Sequence, residues 1–215
     1  MSMTWRLVAA LEVMVAAGLI LVDVGIPTVA VLLIAALSLT VRREGLSSLG
    51  LVRLRRPGHT FVVVLALTLG WTAFQFGLTM PVLNRVTGER QDMGTFADLE
   101  GDLGLLVLLL VVSWVLAAFG EELVYRGYVP VRAAQVLGGG RPAVVIAFLG
   151  AAVLFALAHS EQGQVGVALT FLDALFFSVL RFRCGGLWAS VLGHGLSNTI
   201  GLTTFFLVGP VYGLW

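Results

Sequence analysis

The sequence predicts an all-α fold: a polytopic transmembrane helix bundle of about seven spans, bounded by six and eight, with a polar cluster inside it. Three observations predict it. Of 215 residues, 59% are hydrophobic and only 12% charged, where a soluble domain carries about 25% charged residues. The mean hydropathy is +1.00. The apolar residues fall in runs near the roughly 20 residues that cross hydrocarbon as a helix. The whole chain, 1–215, reads as one integral-membrane domain with less specific spans over 1–80 and a motif-bearing core over 104–208.

The predicted spans are 5–22, 25–41, 60–80, 104–128, 142–160, 165–181 and 186–208. Arg6 ahead of the first run imitates a signal peptide, but Glu12 interrupts the run and no small-x-small cleavage site follows, so an uncleaved span is expected. Asp23-Val24-Gly25 and Pro27 make a short turn to the second span. After it come Arg42, Arg43, Arg53, Arg55 and Arg56 against the single acid Glu44, with Leu46, Leu49, Leu51 and Leu54 between them. That pattern predicts a short amphipathic piece on the membrane surface.

Segment 81–103 is expected to lie outside the membrane, with Glu89, Asp92, Asp98, Glu100 and Asp102 against Arg85 and Arg90. Later turns alternate again: Arg132 and Arg141, then Glu161, then Arg181 and Arg183. The positive-inside rule therefore predicts a cytoplasmic N-terminus and an external C-terminus. All 13 basic residues are arginine, which suggests a GC-rich genome and a bacterial or archaeal plasma membrane. The net charge of +1 argues against a nucleic-acid partner, and the single Cys184 cannot form an internal disulfide. Composition says nothing about oligomeric state.

Ionisable groups inside a membrane are costly unless paired, so each is a functional candidate. Glu121 and Glu122 lie in a helical pattern running from Leu103 to Leu137. Helix neighbours point about 100° apart, so the two carboxylates are expected to do different work. Glu122 and Arg126 have the four-residue, acid-first spacing of a favourable ion pair. Glu121 has no such local partner, which suits a general base acting on water. The alternative is a helix that ends near residue 120, leaving these charges on a solvated cytoplasmic face.

His159 ends an apolar run with Phe155 one turn back on the same face; it is either an interfacial residue or a catalyst. His194 lies two turns into the last span, with Asn198 one turn further along the same face. They are either packing glue between helices or paired donors to an oxyanion. Asp173, in the sixth span, either hydrogen-bonds one of the histidines or makes a helix–helix contact. Glu12 and Gln75 lie further from these motifs and receive no role.

Hairpin arithmetic groups the candidates. Glu121 lies 19 residues before Gly140 and His159 lies 19 after it, which puts them at one depth. At 1.5 Å per residue that depth is about 28 Å from the turn, against about 15 Å for His194 beyond Cys184. A tilt, or a break at Pro130, would close the difference.

Glu121-Glu122-x-x-x-Arg126, Phe155-x-x-x-His159 and His194-x-x-x-Asn198, in this order on apolar segments, resemble the CPBP family of intramembrane proteases, which includes CAAX prenyl endopeptidases and bacterial Abi proteins. Gly185-Gly186-Leu187-Trp188 resembles the family's approach to its last motif. The resemblance covers about 104–208.

It implies an intramembrane endopeptidase acting on hydrophobic, membrane-associated or lipidated substrates. Glu121 would activate water, His159 would share it, His194 and Asn198 would stabilise the oxyanion, and Glu122 with Arg126 would hold the site in register. No cofactor is required on this reading. If a metal served, Glu121, His159 and His194 would supply a three-ligand zinc site, though the zincin H-E-x-x-H signature is absent. The implied partners are the bilayer and a membrane-embedded or lipidated peptide. Two other readings compete: a non-catalytic membrane partner using the cluster structurally, and a transporter, which the lack of an internal repeat disfavours.

Overall fold

The structure, a computed structural model, describes residues 2–23 and 25–209. Among them are seven long helices and no strand: α1 (Met3–Leu21), α2 (Pro27–Arg42), α3 (Pro57–Thr87), α4 (Leu103–Val136), α5 (Gly140–Leu157), α6 (Gly163–Cys184) and α7 (Leu187–Val208). All but α2, at 16 residues, are long and apolar enough to cross a membrane. Leu7, Leu11 and Met14 of α1 and Leu33 and Leu37 of α2 stay exposed. Apolar flanks of that extent need lipid rather than water against them. The turn predicted at Asp23-Val24-Gly25 includes Val24, which lies outside the described residues.

Helix ends follow local chemistry. Ser2 caps α1 by accepting from the Trp5 amide, and Asp102 caps α4 by accepting from the Leu105 amide at 2.9 Å. Pro27 and Pro57 open α2 and α3, where a missing N–H costs nothing. Gly138, Gly139 and Gly140 all take positive φ in the α4–α5 turn, a run that only glycine enters cheaply.

Two helices depart from α geometry. α3 winds as a π-helix over Gln75–Thr79. α4 does so from Ser113 to Tyr128, the stretch that carries both glutamates and Arg126. Such i→i+5 segments are rare and recur at functional sites. They correct two expectations. α3 runs on to Thr87 instead of stopping near 80, because Pro81 falls in the first turn of the α-helix after the π segment, where no donor is required. α4 passes through Pro130 without a break, because that proline stands at the change from π back to α. A π-helix packs more residues into each turn and so advances less per residue. That shortens the path from the Gly140 turn to Glu121 over residues 121–128 only and leaves the path to His159 on the α-helical α5 unchanged.

The arginine-rich piece also differs from expectation. Leu46–Leu49 is a short 3-10 turn folded onto protein rather than a surface helix. Leu49 is 1% exposed and packs against Gly127, and the Gly50 carbonyl accepts from the Leu187 amide at 3.0 Å. Leu49 and Leu51 found apolar contacts in the core, while Leu46 stays exposed. At the opposite end of α6, the acidic segment is tied to the α5–α6 turn through Asp92 N–H to the Gln162 carbonyl, 3.0 Å, and to α7 through Gly101 N–H to Phe206, 3.0 Å.

α4 is the central helix. Its π stretch packs against α7, α2 and α5, and its last two turns pack against α1 and α5. There Arg132, fully buried, reaches Glu44 at 3.0 Å and Glu12 at 3.4 Å, while Arg42 meets Glu12 at 3.0 Å. Glu12 is thus a partly buried structural anchor between α1, α2 and α4.

Candidate active site

Glu122 and Arg126 form the ion pair that their spacing suggests, Nη1 to Oε1 at 2.9 Å, with both side chains essentially fully buried. The contact is electrostatic rather than an aligned hydrogen bond. The guanidinium plane lies 4.2 Å from the Phe155 ring and 5.3 Å from the Phe177 ring, so aromatic faces on α5 and α6 hold its cation. The same Oε1 of Glu122 accepts from His194 Nδ1 at 2.9 Å. His194 stacks on Phe177, centroids 4.8 Å apart at 11°, and meets Phe155 edge-on at 6.0 Å. Three motif elements thus interlock through one carboxylate oxygen and two phenylalanines.

A carboxylate cannot donate, so Nδ1 of His194 carries the proton. Nε2 then either accepts, in the neutral ring, or donates, in the imidazolium. An oxyanion donor needs the second state, and Glu122 supplies the charge that balances it. His159 ends α5 with Nδ1 donating to the Phe155 carbonyl at 2.8 Å, which leaves Nε2 with a lone pair in the neutral ring.

Glu121 points elsewhere than Glu122. It lines a cavity of about 540 Å³, together with His159, His194, Asn198, Phe155 and Asp173. Its Oε2 is buried with no hydrogen-bond partner among the described residues. Asn198 donates from Nδ2 to Ser113 Oγ at 3.0 Å, which leaves its second amide hydrogen for a ligand. The cavity runs to the acidic segment, where Gln91, Met93 and Phe96 form part of its wall.

Asp173 bonds no histidine. Its Oδ1 accepts from Trp71 Nε1 at 2.6 Å and Gln75 Nε2 at 2.8 Å, so the contact joins α6 to α3. Gln75, given no role by the sequence, also lines the cavity, as do Ser113, Ser197, Trp71 and Phe177. The one sequence signal for these was four-residue spacing: Ser113, Ala117 and Glu121 form a stripe, and Asp173 and Phe177 another.

Glu121, His159 and His194 share the cavity. However, among the described residues no three His, Cys, Asp or Glu side chains stand close enough to hold a metal ion. The arrangement does not fit the three-ligand zinc site, and no chemical step is routed through one.

Residues 103–200 match the family model described as Rce1-like, type II CAAX prenyl endopeptidase. The match runs from the start of α4 to Ile200 in α7 and includes every residue of the three polar motifs. That description is similar to the intramembrane CAAX-type proteases that the motifs resemble. With its apolar helices, the chain is an integral multi-pass membrane protein. No curated protein matches the chain, and no solved structure does.

Proposed function

We propose that the cavity is the active site of an intramembrane endopeptidase that hydrolyses hydrophobic or lipidated, membrane-associated peptides without a metal. The observation that carries this reading is the convergence on one cavity of Glu121 from α4, His159 from the turn after α5, and His194 and Asn198 from α7. Glu121 takes a proton from water as the water oxygen adds to the scissile carbonyl carbon. His159 orients that water through its free Nε2. The resulting oxyanion accepts hydrogen bonds from His194 Nε2–H and the Asn198 amide. The intermediate collapses as the C–N bond breaks, and Glu121 returns the proton to the departing amine. Glu122, itself held by Arg126, orients His194 through Nδ1, and neither residue acts on substrate.

With the arginine turns cytoplasmic, the cavity opens toward the external end of the bundle, under the acidic segment. Substrate then enters from the bilayer or from that side. The test is hydrolysis of a hydrophobic peptide by the purified protein in heavy-oxygen water. One heavy oxygen in the new carboxylate is expected. Absence of cleavage across a broad hydrophobic panel would count for a non-catalytic membrane partner.

A further inference from the structure

We infer that Asp173, held by Trp71 and Gln75, forms a subsite for a positively charged group of the substrate; the inference deepens the endopeptidase reading of this cavity and rests on it. Four carboxylates line the cavity, Asp92, Glu121, Glu161 and Asp173, and no arginine or lysine does. Arg126 is held outside the cavity wall by Glu122 and two phenylalanine faces, and one arginine leaves the four carboxylates in excess.

Asp173 is built into place. Trp71, which donates to it, stacks on Phe176 with centroids 4.9 Å apart at 7°. Both donors to Asp173 are neutral and both reach Oδ1, so among the described residues Oδ2 has no side-chain donor. Gln75 is 7% exposed, lines the same cavity and begins the π segment of α3; its Oε1 also has no donor among the described residues. Two acceptors on one wall, with the nearest cationic groups, His194 and Arg126, both engaged by Glu122, fit a ligand that donates hydrogen bonds and carries positive charge.

The place is close to the reaction. Phe177, one helical turn past Asp173 on α6, stacks on His194. An arginine or lysine side chain near the scissile bond, or the free amino terminus of a short peptide, has the required chemistry.

The test uses the full chain in detergent micelles. Hydrophobic peptides carry arginine, leucine or glutamate at one position, each with a free or an acetylated amino terminus. Binding is read by fluorescence anisotropy on Glu121→Gln, so turnover is not needed, and kcat/KM is read on the wild type. A cationic peptide should bind at least about tenfold tighter than the glutamate peptide, since a buried charge pair is commonly worth that factor. Asp173→Asn should erase the preference, and Asp173→Glu, which keeps the charge, should retain part of it. The acetylated peptides separate a side-chain cation from an amino terminus.

Equal binding of all peptides, a preference that survives Asp173→Asn, or a parallel loss for every peptide in that variant would each overturn the subsite. Charge-selective, Asp173-dependent binding without wild-type cleavage would uphold the subsite and count against hydrolysis. Cleavage with no charge preference would do the reverse.

Discussion

His194 Nδ1 lies 2.9 Å from Glu122 Oε1, the oxygen that also meets Arg126 Nη1 at 2.9 Å. One buried carboxylate therefore joins the first polar motif to the third, 72 residues away, and fixes which nitrogen of His194 faces the cavity. The proposed function divides stability and chemistry between adjacent glutamates: Glu122 holds the framework, and Glu121 faces the cavity.

Breaking that framework should be costly. Glu122→Ala leaves Arg126 as an uncompensated buried cation, a change that typically costs about 3–5 kcal/mol. Its melting temperature in detergent should fall well below that of Glu121→Gln, which removes no ion pair. Equal melting temperatures for the two variants would contradict the division of roles.

Arg126→Lys should fail to restore the site. A compact ammonium cannot present a flat face to Phe155 and Phe177 while also reaching Glu122. We expect reduced thermal stability and reduced activity together. Wild-type values for both would show that the flat geometry is immaterial.

Asn198→Ala should lower kcat by about 10²–10³-fold, the usual effect of losing one oxyanion donor, with a smaller change in KM. Ser113→Ala removes the hydroxyl that accepts from Asn198 Nδ2 and should lower kcat less. Steady-state kinetics of the two variants decides the order, and the opposite order would remove Asn198 from the reaction.

Gly195→Ala tests the packing behind His194. A Cβ there would meet Trp114 ring carbons at 2.5–2.6 Å, and that indole is fixed by its bond to Thr199 at 3.1 Å. Overpacking of this kind costs about 1–3 kcal/mol, seen as a lower melting temperature. An unchanged melting temperature would mean that the indole moves freely.

Phenanthroline should leave peptidase activity unchanged, because Glu121, His159 and His194 do not converge as ligands. Activity lost to the chelator and restored by zinc would reverse that part of the account.

Much of this fold was legible because lipid imposes a simple rule: runs of about 20 apolar residues become spans. The Glu122–Arg126 pair was legible because four-residue spacing is local. The bond from His194 to Glu122 was not, since helix order alone does not say which faces meet. Asp173 illustrates the same limit. Two readings of it stood open, a histidine partner and a helix–helix contact, and the rotation of α6 selects the second by turning it to Trp71 and Gln75 on α3. The π segments were invisible to periodicity, and they account for the overrun of α3 and the shorter path to Glu121. The leucines around Leu49 read as a short amphipathic piece on the membrane surface because amphipathic spacing does not distinguish lipid from protein as the apolar partner of Leu49.

The most direct test of the central claim compares wild type with Glu121→Gln on a quenched-fluorescence panel of hydrophobic peptides, with thermal unfolding measured on both. The account predicts cleavage by the wild type, a loss of at least about 10²–10⁴-fold in kcat for Glu121→Gln, the usual contribution of a general base, and closely similar melting temperatures. Full activity in the folded variant would contradict it.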